Sequence, residues 1–409
     1  GDDGDDRLDG GADNDVIAGD NAIIDRRGDS FSGRIRVLTG TQIYGETLGG
    51  GVDNDGLALV TEAAQSNPTG ASVRTIVLFD HADDTPANLY GDDTIAGGAG
   101  DDEIFGQLGD DVIQGDGSID IDTDVDLEAV QPVTASRTDD GVLVVHASVE
   151  DFAGDGADGD DYIEGNGGND VIFGNLGQDD IIGGSSNLFG LAGDESLRPD
   201  GEDLIFGGAG IDISRNDLGD ISTQGHARDA DTIAGDNANM YRLVGINGMA
   251  SGSFLEFNYD QSVVDVEDRG NLRLIPRAVE LLDYTDGGPD FDPNAFNDNG
   301  AADEIHGEAG DDEIYGQTGN DVLYGEGQDD NIIGGWGHDW ISGGTGIDGV
   351  LGDDGRIYTS RNSEIQGESL YGIAPVEVDT YISTPGRVQQ STIHVEHELK
   401  KSVNLTPFN

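Results

Sequence analysis

The chain contains no cysteine, so no disulfide bond can hold its fold together. Basic residues are also scarce: 19 Lys and Arg face 84 Asp and Glu, which leaves a net charge of −65 at pH 7. Because a protein of this charge repels phosphate groups, nucleic acids and anionic membrane surfaces are poor partners. No apolar run approaches the ~18 residues that a membrane-spanning helix needs, so we expect no membrane insertion.

The sequence motifs of several enzyme classes are missing as well. His397 and Glu398 begin the zinc-protease pattern H-E-x-x-H, but Lys401 stands where the second histidine is needed. No serine has the two flanking glycines of the G-x-S-x-G nucleophile elbow, and there is no P-loop for nucleotide phosphates. The sequence therefore indicates a protein that is not an enzyme.

Glycine and aspartate are abundant, and they recur in a repeat of nine residues. In the longest stretch each aspartate is followed two positions later by an apolar residue and four positions later by a glycine. The aspartates are Asp303, Asp312, Asp321, Asp330, Asp339 and Asp348, and the apolar residues are Ile305, Ile314, Leu323, Ile332, Ile341 and Val350. A flexible linker or an acidic surface would explain the composition, but neither would keep an apolar residue in one register.

This spacing resembles the repeat G-G-x-G-x-D-x-U-x of the RTX (repeats-in-toxin) family, which binds calcium in parallel β-rolls. In residues 334–342, glycines permit positive φ angles and Asp339 supplies carboxylate oxygens, which calcium prefers. The three residues after Asp339 predict a short strand whose middle side chain, Ile341, points into the core. The resemblance implies an all-β fold: a right-handed parallel β-roll in which two repeats form one coil.

The resemblance also implies that the aspartates bind calcium between turns stacked on the same side of the roll. Asp312 and Asp330 would then share one ion, and Asp321 and Asp339 another. The predicted calcium ligands are Asp6, Asp15, Asp93, Asp102, Asp111, Asp161, Asp170, Asp179, Asp203, Asp303, Asp312, Asp321, Asp330, Asp339 and Asp348. We expect roughly ten Ca²⁺ ions, which would offset part of the negative charge. An isolated repeat with Asp231 and Ile233 is not counted among these sites.

The repeats fall into blocks that longer segments without the repeat separate. Repeat blocks are predicted at 1–19, 89–115, 156–235 with a loop at 185–200, and 298–352. Insertion lobes are predicted at 20–88, 116–155, 236–297 and 353–409. The alternating apolar residues of these lobes indicate β-strands, with a helical piece at 56–65. Two interpretations stay open: the lobes cap and widen the roll, or they serve in binding and assembly.

Each insertion begins with similar residues and returns to the roll through a predicted strand. The fourth insertion has its return strand at 392–397, and placing Gly1 after Asn409 restores the start of a repeat block. We therefore expect one period of a head-to-tail array, in which Asn409 of one copy lies close to Gly1 of the next, through a peptide bond or a subunit contact. Such arrays are quasi-one-dimensional solenoids.

These observations favour a secreted or cell-surface structural protein, in keeping with the type I secretion by which RTX proteins leave Gram-negative bacteria. Calcium would drive its folding and its assembly into a filament, surface layer or giant adhesin. Two other functions stay open. The chain could be an adhesin module whose partners are glycans or a cell surface; Trp340, expected to point outward beside Trp336, would then stack on a sugar, or else pack against an insertion or another subunit. It could also be the calcium-binding portion of a secreted enzyme whose catalytic domain lies elsewhere.

Overall fold

The fold consists of β-strands and one short 3₁₀ helix in the residues that the computed structural model describes. These residues are 1, 3–39, 59–60, 63–71, 73–119, 133–146, 158–193, 195–210, 229–246, 249–255, 257–258, 273–285, 298–360, 380–383, 390–393 and 400–404. No helix in this part of the chain is long and apolar enough to cross a membrane.

Two parallel sheets of eight strands each form a single roll. Sheet A comprises Arg7–Ala12, Thr94–Ala99, Val112–Gln114, Val171–Phe173, Leu204–Phe206, Glu304–His306, Val322–Tyr324 and Trp340–Ser342. Sheet B comprises Val16–Ala18, Glu103–Leu108, Tyr162–Gly167, Asp180–Ile182, Thr232–Ala234, Glu313–Gly319, Asn331–Gly337 and Gly349–Leu351. The chain alternates between the sheets, so each pair of strands makes one coil. This architecture confirms the predicted parallel β-roll.

Repeats that are far apart in sequence are neighbours in this roll. Leu8 pairs with Ile95, and Ile205 pairs with Ile305, although an insertion separates the two residues of each pair. The repeat around Asp231 is not isolated in space, because its strand lies between Asp180–Ile182 and Glu313–Gly319 in sheet B. The repeat blocks are therefore successive coils of one roll.

A column of isoleucine and leucine side chains fills the space between the two sheets. Twelve of its members have no exposed surface: Ile95, Ile104, Ile113, Ile163, Ile172, Ile181, Ile205, Ile233, Ile305, Ile314, Leu323 and Ile332. Each is the middle one of three paired residues in its strand. Because alternate side chains of a strand point to opposite faces, this middle side chain points inward while its two neighbours point outward. Branched side chains suit this position, since they pack closely on a pleated surface. Leu8, Ile17 and Ile341 close the column at its ends and are only partly buried.

The insertions add small antiparallel sheets around the roll. In the first, Ala22–Arg26 pairs with Arg74–Leu78, Phe31–Ser32 with Gln65–Ser66, and Leu38–Thr39 with Leu59–Val60. The second holds a hairpin of Thr134–Arg137 and Leu143–His146. Of the described residues in the predicted helical piece at 56–65, Leu59, Val60 and Gln65 lie in strands and none is helical, so that prediction was wrong for them.

The third insertion is joined to the first. Its strand Ala238–Leu243 pairs with Arg277–Leu281 and also, in parallel, with Ile35–Arg36. Its other paired strands are Gly245–Ile246 with Met249–Ala250 and Phe257–Asn258 with Arg273–Leu274. In the fourth insertion the strand order is Thr380–Ser383, Gln390–Ile393, Arg356–Ser360 and Lys400–Asn404. The short helix Glu195–Leu197 lies in the predicted 185–200 loop.

The first and third insertions cover the outer face of sheet B, whereas the hairpin of the second packs on sheet A. Phe105, Tyr162 and Tyr315 project from the outer face of sheet B and are buried in one cluster with residues of the first and third insertions, such as Leu78 and Met240. One buried carboxylate, Asp180, also binds both insertions to the roll. It accepts hydrogen bonds from Arg34 at 2.6 Å, Arg277 at 2.7 Å and Arg242 at 3.1 Å. The lobes are thus packed on the roll through both apolar and ionic contacts.

The inner column makes a prediction about stability. Replacing Ile172 with alanine removes buried methyl groups and leaves a cavity, so it should lower the free energy of unfolding by about 2–5 kcal/mol in saturating calcium. The matched control is Val142→Ala, because Val142 is 58% exposed on the hairpin of the second insertion and should change stability by less than ~0.5 kcal/mol. Urea unfolding followed by circular dichroism measures both, and equal effects would contradict the assignment of the column as the core.

Candidate calcium sites

The repeat aspartates form two ladders along the roll, one at each turn between the sheets. In each ladder the backbone N–H of one aspartate donates a hydrogen bond to Oδ1 of the aspartate in the next coil. The first ladder is Asp6, Asp93, Asp111, Asp170, Asp203, Asp303, Asp321 and Asp339, with N···O distances of 2.7 to 3.1 Å. The second ladder is Asp15, Asp102, Asp161, Asp179, Asp231, Asp312, Asp330 and Asp348, with distances of 2.6 to 3.2 Å.

All fifteen aspartates predicted as calcium ligands lie in these ladders. Asp312 and Asp330, and likewise Asp321 and Asp339, are adjacent rungs, which brings together the residues expected to share an ion. Ion sharing itself stays a prediction. The residue that sequence reasoning missed is Asp231, whose partners Asp179 and Asp312 lie 52 and 81 positions away in the chain. The sequence did offer one indication of this site, because Ile233 follows Asp231 at the same two-residue spacing as the apolar residues of the other repeats.

The second carboxylate oxygen of most ladder residues is buried without a hydrogen-bond donor. This holds for Oδ2 of Asp93, Asp102, Asp111, Asp161, Asp170, Asp179, Asp203, Asp231, Asp303, Asp312, Asp321 and Asp339, judged against the described part of the chain. A buried charged oxygen without a partner is strongly destabilising, and natural proteins almost always pair it or bind a metal to it. These oxygens are therefore candidate cation ligands at regular intervals along the ladders.

Glycines create the space beside these oxygens. A Cβ atom added to Gly106 would lie 2.4 Å from Oδ2 of Asp111 and 2.6 Å from the carbonyl oxygen of Gly165 in the next coil. At Gly316 the corresponding distances are 2.4 Å to Oδ2 of Asp321 and 2.6 Å to the carbonyl oxygen of Gly334. A carboxylate and a carbonyl oxygen thus face the same small space, where the two oxygens repel each other unless a cation lies between them.

The turns keep this geometry through positive φ angles at two positions. In the turn 106–111, Gln107 has φ 83° and Gly109 has φ 135°. Glycine tolerates these angles most readily. The position of Gln107 is held by asparagine in two other turns, Asn166 with φ 76° and Asn175 with φ 78°, and asparagine enters the left-handed region more readily than most residues. The pattern G-G-x-G in the sequence therefore reflects a backbone that curls its carbonyl groups towards the ladder.

The raised pKa values of the ladder carboxyls agree with sites that bind a cation. Burial raises the pKa of Asp93 and Asp102 to about 6, of Asp231 to about 7 and of Asp321 to about 8. Burial, together with neighbouring carboxylates, raises the pKa well above its usual value in Asp111, Asp161, Asp170, Asp179, Asp203, Asp303 and Asp312. Without metal the ladder carboxylates therefore resist ionisation, and a bound cation would restore their charge.

The donor set fits calcium. Calcium takes six to eight oxygen ligands from carboxylates and backbone carbonyls in flexible geometry. In the described part of the chain, no three side chains of His, Cys, Asp or Glu are arranged to hold a metal ion. Each site would therefore combine ladder carboxylates with glycine carbonyl oxygens of two stacked turns, and the sulfur or imidazole ligands preferred by zinc are not needed.

Insertions leave the roll without breaking this arrangement. A Cβ atom added to Gly19 would lie 2.2 Å from Oδ2 of Asp93, and one added to Gly115 would lie 2.3 Å from Oδ2 of Asp161. Gly19 and Asp93 therefore take the places of Gly106 and Asp111 in an uninterrupted turn, although the whole first insertion lies between them. We call such a turn, in which an insertion separates the glycine from the ladder aspartate, a spliced turn.

Comparison with known protein families agrees with this geometry. The family model described as "RTX calcium-binding nonapeptide repeat (4 copies)" matches residues 1–22, 89–122, 155–187, 200–213, 297–332 and 315–350. These ranges include every ladder aspartate except Asp231. No curated protein and no solved structure matches the chain.

Removing the metal should unfold the roll. Because folding without calcium would bury many unpartnered carboxylates, we expect the strand signal in circular dichroism to be largely lost in chelator and to return cooperatively on calcium addition. An unchanged spectrum in the two conditions would contradict this.

Acid should partly replace calcium. A carboxyl whose folded-state pKa is raised stabilises the metal-free fold while it is protonated. This contribution is complete below the usual value of 3.8 and is lost as the pH rises through about 6 to 8, the folded-state values of Asp93, Asp231 and Asp321. In chelator, strand content should therefore be higher at pH 4 than at pH 8. Repeating the titration in molar salt screens repulsion between exposed charges, and the difference should survive there.

Proposed function

We propose that this chain, whose coils are RTX calcium-binding nonapeptide repeats, is a secreted structural protein that calcium folds and that stacks end to end with copies of itself. RTX repeats bind calcium, and RTX repeat proteins are typically secreted. Calcium is normally millimolar outside cells, which suits a fold that needs many ions. Fourteen steps between rungs of the ladders could hold more than the roughly ten ions expected from the sequence.

The observation that carries the proposal is the state of the roll's two ends. At one end Arg7–Ala12 and Val16–Ala18 are the edge strands of the sheets, and at the other Trp340–Ser342 and Gly349–Leu351 are. Val350, which occupies an inner-column position, is 41% exposed, whereas Ile332 beneath it has no exposed surface. Open edges and an open apolar column invite pairing with another chain.

The ladders have a direction that suits stacking in one orientation. Every ladder hydrogen bond runs from the N–H of an earlier coil to Oδ1 of the following coil. A copy stacked on the last coil in the same direction would continue both ladders, both sheets and the inner column. Because each copy carries a net charge of −65, such stacking also needs cations at the joint. These features support head-to-tail assembly that depends on calcium.

Assembly can be tested with a variant of the exposed column position. In millimolar calcium, sedimentation velocity and electron microscopy should show linear assemblies, and chelator should abolish them. Val350→Lys places a charge at the joint and should shorten or abolish the assemblies, while Val142→Lys on the exposed hairpin should leave them unchanged. The proposal fails if the native chain stays monomeric in calcium or if both variants assemble equally well.

A second candidate function, glycan adhesion, is favoured by a stack of rings on the outer face of sheet A. Ring centroids lie 4.9 Å apart for Phe173 and Phe206, 5.1 Å for Phe206 and His306, 4.6 Å for His306 and Tyr324, and 4.9 Å for Tyr324 and Trp340. The hairpin of the second insertion covers the Phe173 end. Trp340 at the other end is 38% exposed and offers a platform on which a sugar ring could stack.

The stack predicts which residue a glycan would need. If the chain binds glycans, Trp340→Ala should abolish signals on a glycan array, because it removes the exposed ring. Phe79→Ala is the matched control, since Phe79 is 41% exposed on the first insertion and lies outside the stack. An array without calcium-dependent signals for the native chain would exclude this function.

A further inference from the structure

The residue that follows the ladder glycine differs between spliced and uninterrupted turns. Where the first, second and third insertions leave the roll, this residue is aspartate: Asp20, Asp116 and Asp236. In uninterrupted turns the same position holds Gly11, Gly98, Gln107, Asn166, Asn175, Glu308, Gln317, Glu326, Gly335 or Gly344, and aspartate only in the first turn, as Asp2. We call Asp20, Asp116 and Asp236 the exit aspartates.

Two exit aspartates are buried with carboxylate oxygens that have no donor in the described structure. Asp20 is only 4% exposed, and neither Oδ1 nor Oδ2 accepts a hydrogen bond of regular geometry, although the backbone at Leu108 and Gly91 is close enough to favour its charge. Among the carboxylates it interacts with that of Asp93, the ladder residue of the same spliced turn. Asp116 is 3% exposed, its Oδ2 has no donor, and it interacts with Asp161, the ladder residue of its own turn. Each therefore adds a second carboxylate beside a ladder carboxylate that already lacks a partner.

At the third insertion two further carboxylates interact electrostatically with ladder carboxylates. Asp236 is fully buried and accepts hydrogen bonds from the Ala301 N–H at 2.9 Å and from the N–H and hydroxyl of Thr318, both at 2.7 Å. The carboxylate of Asp200 interacts with Asp236 and with the ladder residues Asp203 and Asp303. Both oxygens of Asp200 are buried without a donor in the described part of the chain.

Asp200 also takes the position that an exit aspartate would occupy. The 183–203 turn has Gly184 after its ladder glycine, and a Cβ atom there would lie 2.5 Å from Oδ1 of Asp200. A carboxylate from the end of the loop thus fills the space that an exit side chain fills in the other spliced turns. Four of the five spliced turns share the feature, and the fifth, between Gly207 and Asp231, has Gly208 at the exit position.

We propose that Asp20, Asp116, Asp236 and Asp200 are additional calcium ligands, so that ions at these four spliced turns bind more tightly than ions at turns without the extra carboxylate. Affinity for calcium rises with the number of charged ligands, and these turns offer at least one more carboxylate. An ion that holds both the exit and the return of an insertion also closes a long loop, which is where a metal clip stabilises most. As calcium is added, it would then bind first at the turns where the lobes join the roll and afterwards at the uninterrupted turns.

A purely structural role makes a different prediction. Oδ1 of Asp116 accepts a hydrogen bond from the N–H of Gly159 at 3.2 Å, in the segment that returns to the roll. Asp116→Asn keeps an oxygen for this hydrogen bond and removes the charge. Asp20→Asn removes a charge at a carboxylate that accepts no hydrogen bond of regular geometry in the described structure, and its amide oxygen can still face the backbone at Leu108 and Gly91. The two variants therefore separate the effect of charge from the effect of the hydrogen bond.

The test is calcium binding to the full chain, measured by competition with a chromophoric chelator and by metal analysis at saturation. Asp20→Asn and Asp116→Asn should each weaken the tightest class of sites by about tenfold or more, the range seen when support for a metal site is lost. The matched control is Asp110→Asn, since Asp110 is exposed beside a ladder residue and accepts a hydrogen bond from Asn169 at 2.9 Å. It should leave the tightest class unchanged.

The metal-free state provides a second readout. In chelator at pH 8, Asp20→Asn should raise residual strand content, because it removes a buried charge without a partner, whereas loss of a purely structural contact would lower it. Unchanged tight sites in both variants, or an equal loss in Asp110→Asn, would overturn the proposal. If Asp116→Asn does not fold in saturating calcium, Asp20→Asn decides alone. The inference depends on calcium binding at the ladders and not on end-to-end stacking, so monomeric protein in calcium would leave it intact.

Discussion

The structure depends on buried carboxylate oxygens that face carbonyl oxygens with no donor between them. Twelve ladder residues have an Oδ2 of this kind in the described structure. Such an arrangement is unstable by itself, and no hydrogen bond elsewhere in the roll can compensate for it. A cation in each gap turns repulsion into attraction and cross-links successive coils. The inner apolar column, with one isoleucine or leucine in every strand except the last, where Val350 takes the position, then packs in register because the ladders set the stacking of the coils.

The ladders also explain how one roll can carry long insertions. The glycine and the aspartate of a site need only meet in space, so the chain between them can be four residues or an entire lobe. Gly19 and Asp93 meet as Gly106 and Asp111 do. The first and third insertions pack on the outer face of sheet B, where they contact Asp180 and the aromatic cluster around Phe105. The roll is therefore the scaffold, and the lobes supply most of the surface beyond it.

The sequence was most informative where structure repeats locally. The position of the aspartate, the apolar residue and the glycine in each repeat identified fifteen of the sixteen ladder residues and the parallel roll. It was least informative where contacts join distant segments. Asp231 looked isolated, since its neighbours in the ladder are supplied by other repeats. The helical piece at 56–65 was wrong for the described residues, because short strand pairs such as Phe31–Ser32 with Gln65–Ser66 are tertiary contacts that override local preference.

By itself, the sequence determined the register of each coil, because a nine-residue period repeats the same backbone, core and carboxylate positions wherever it occurs. It also determined the chemistry of the sites, since aspartate and glycine in this spacing offer oxygen ligands and little else. Only the tertiary structure decided which coils are neighbours, that the repeat blocks form one roll, and that exit and return residues rebuild a site across an insertion. The reason is physical: stacking of coils is fixed by hydrogen bonds and burial between segments far apart in the chain, which no local pattern encodes.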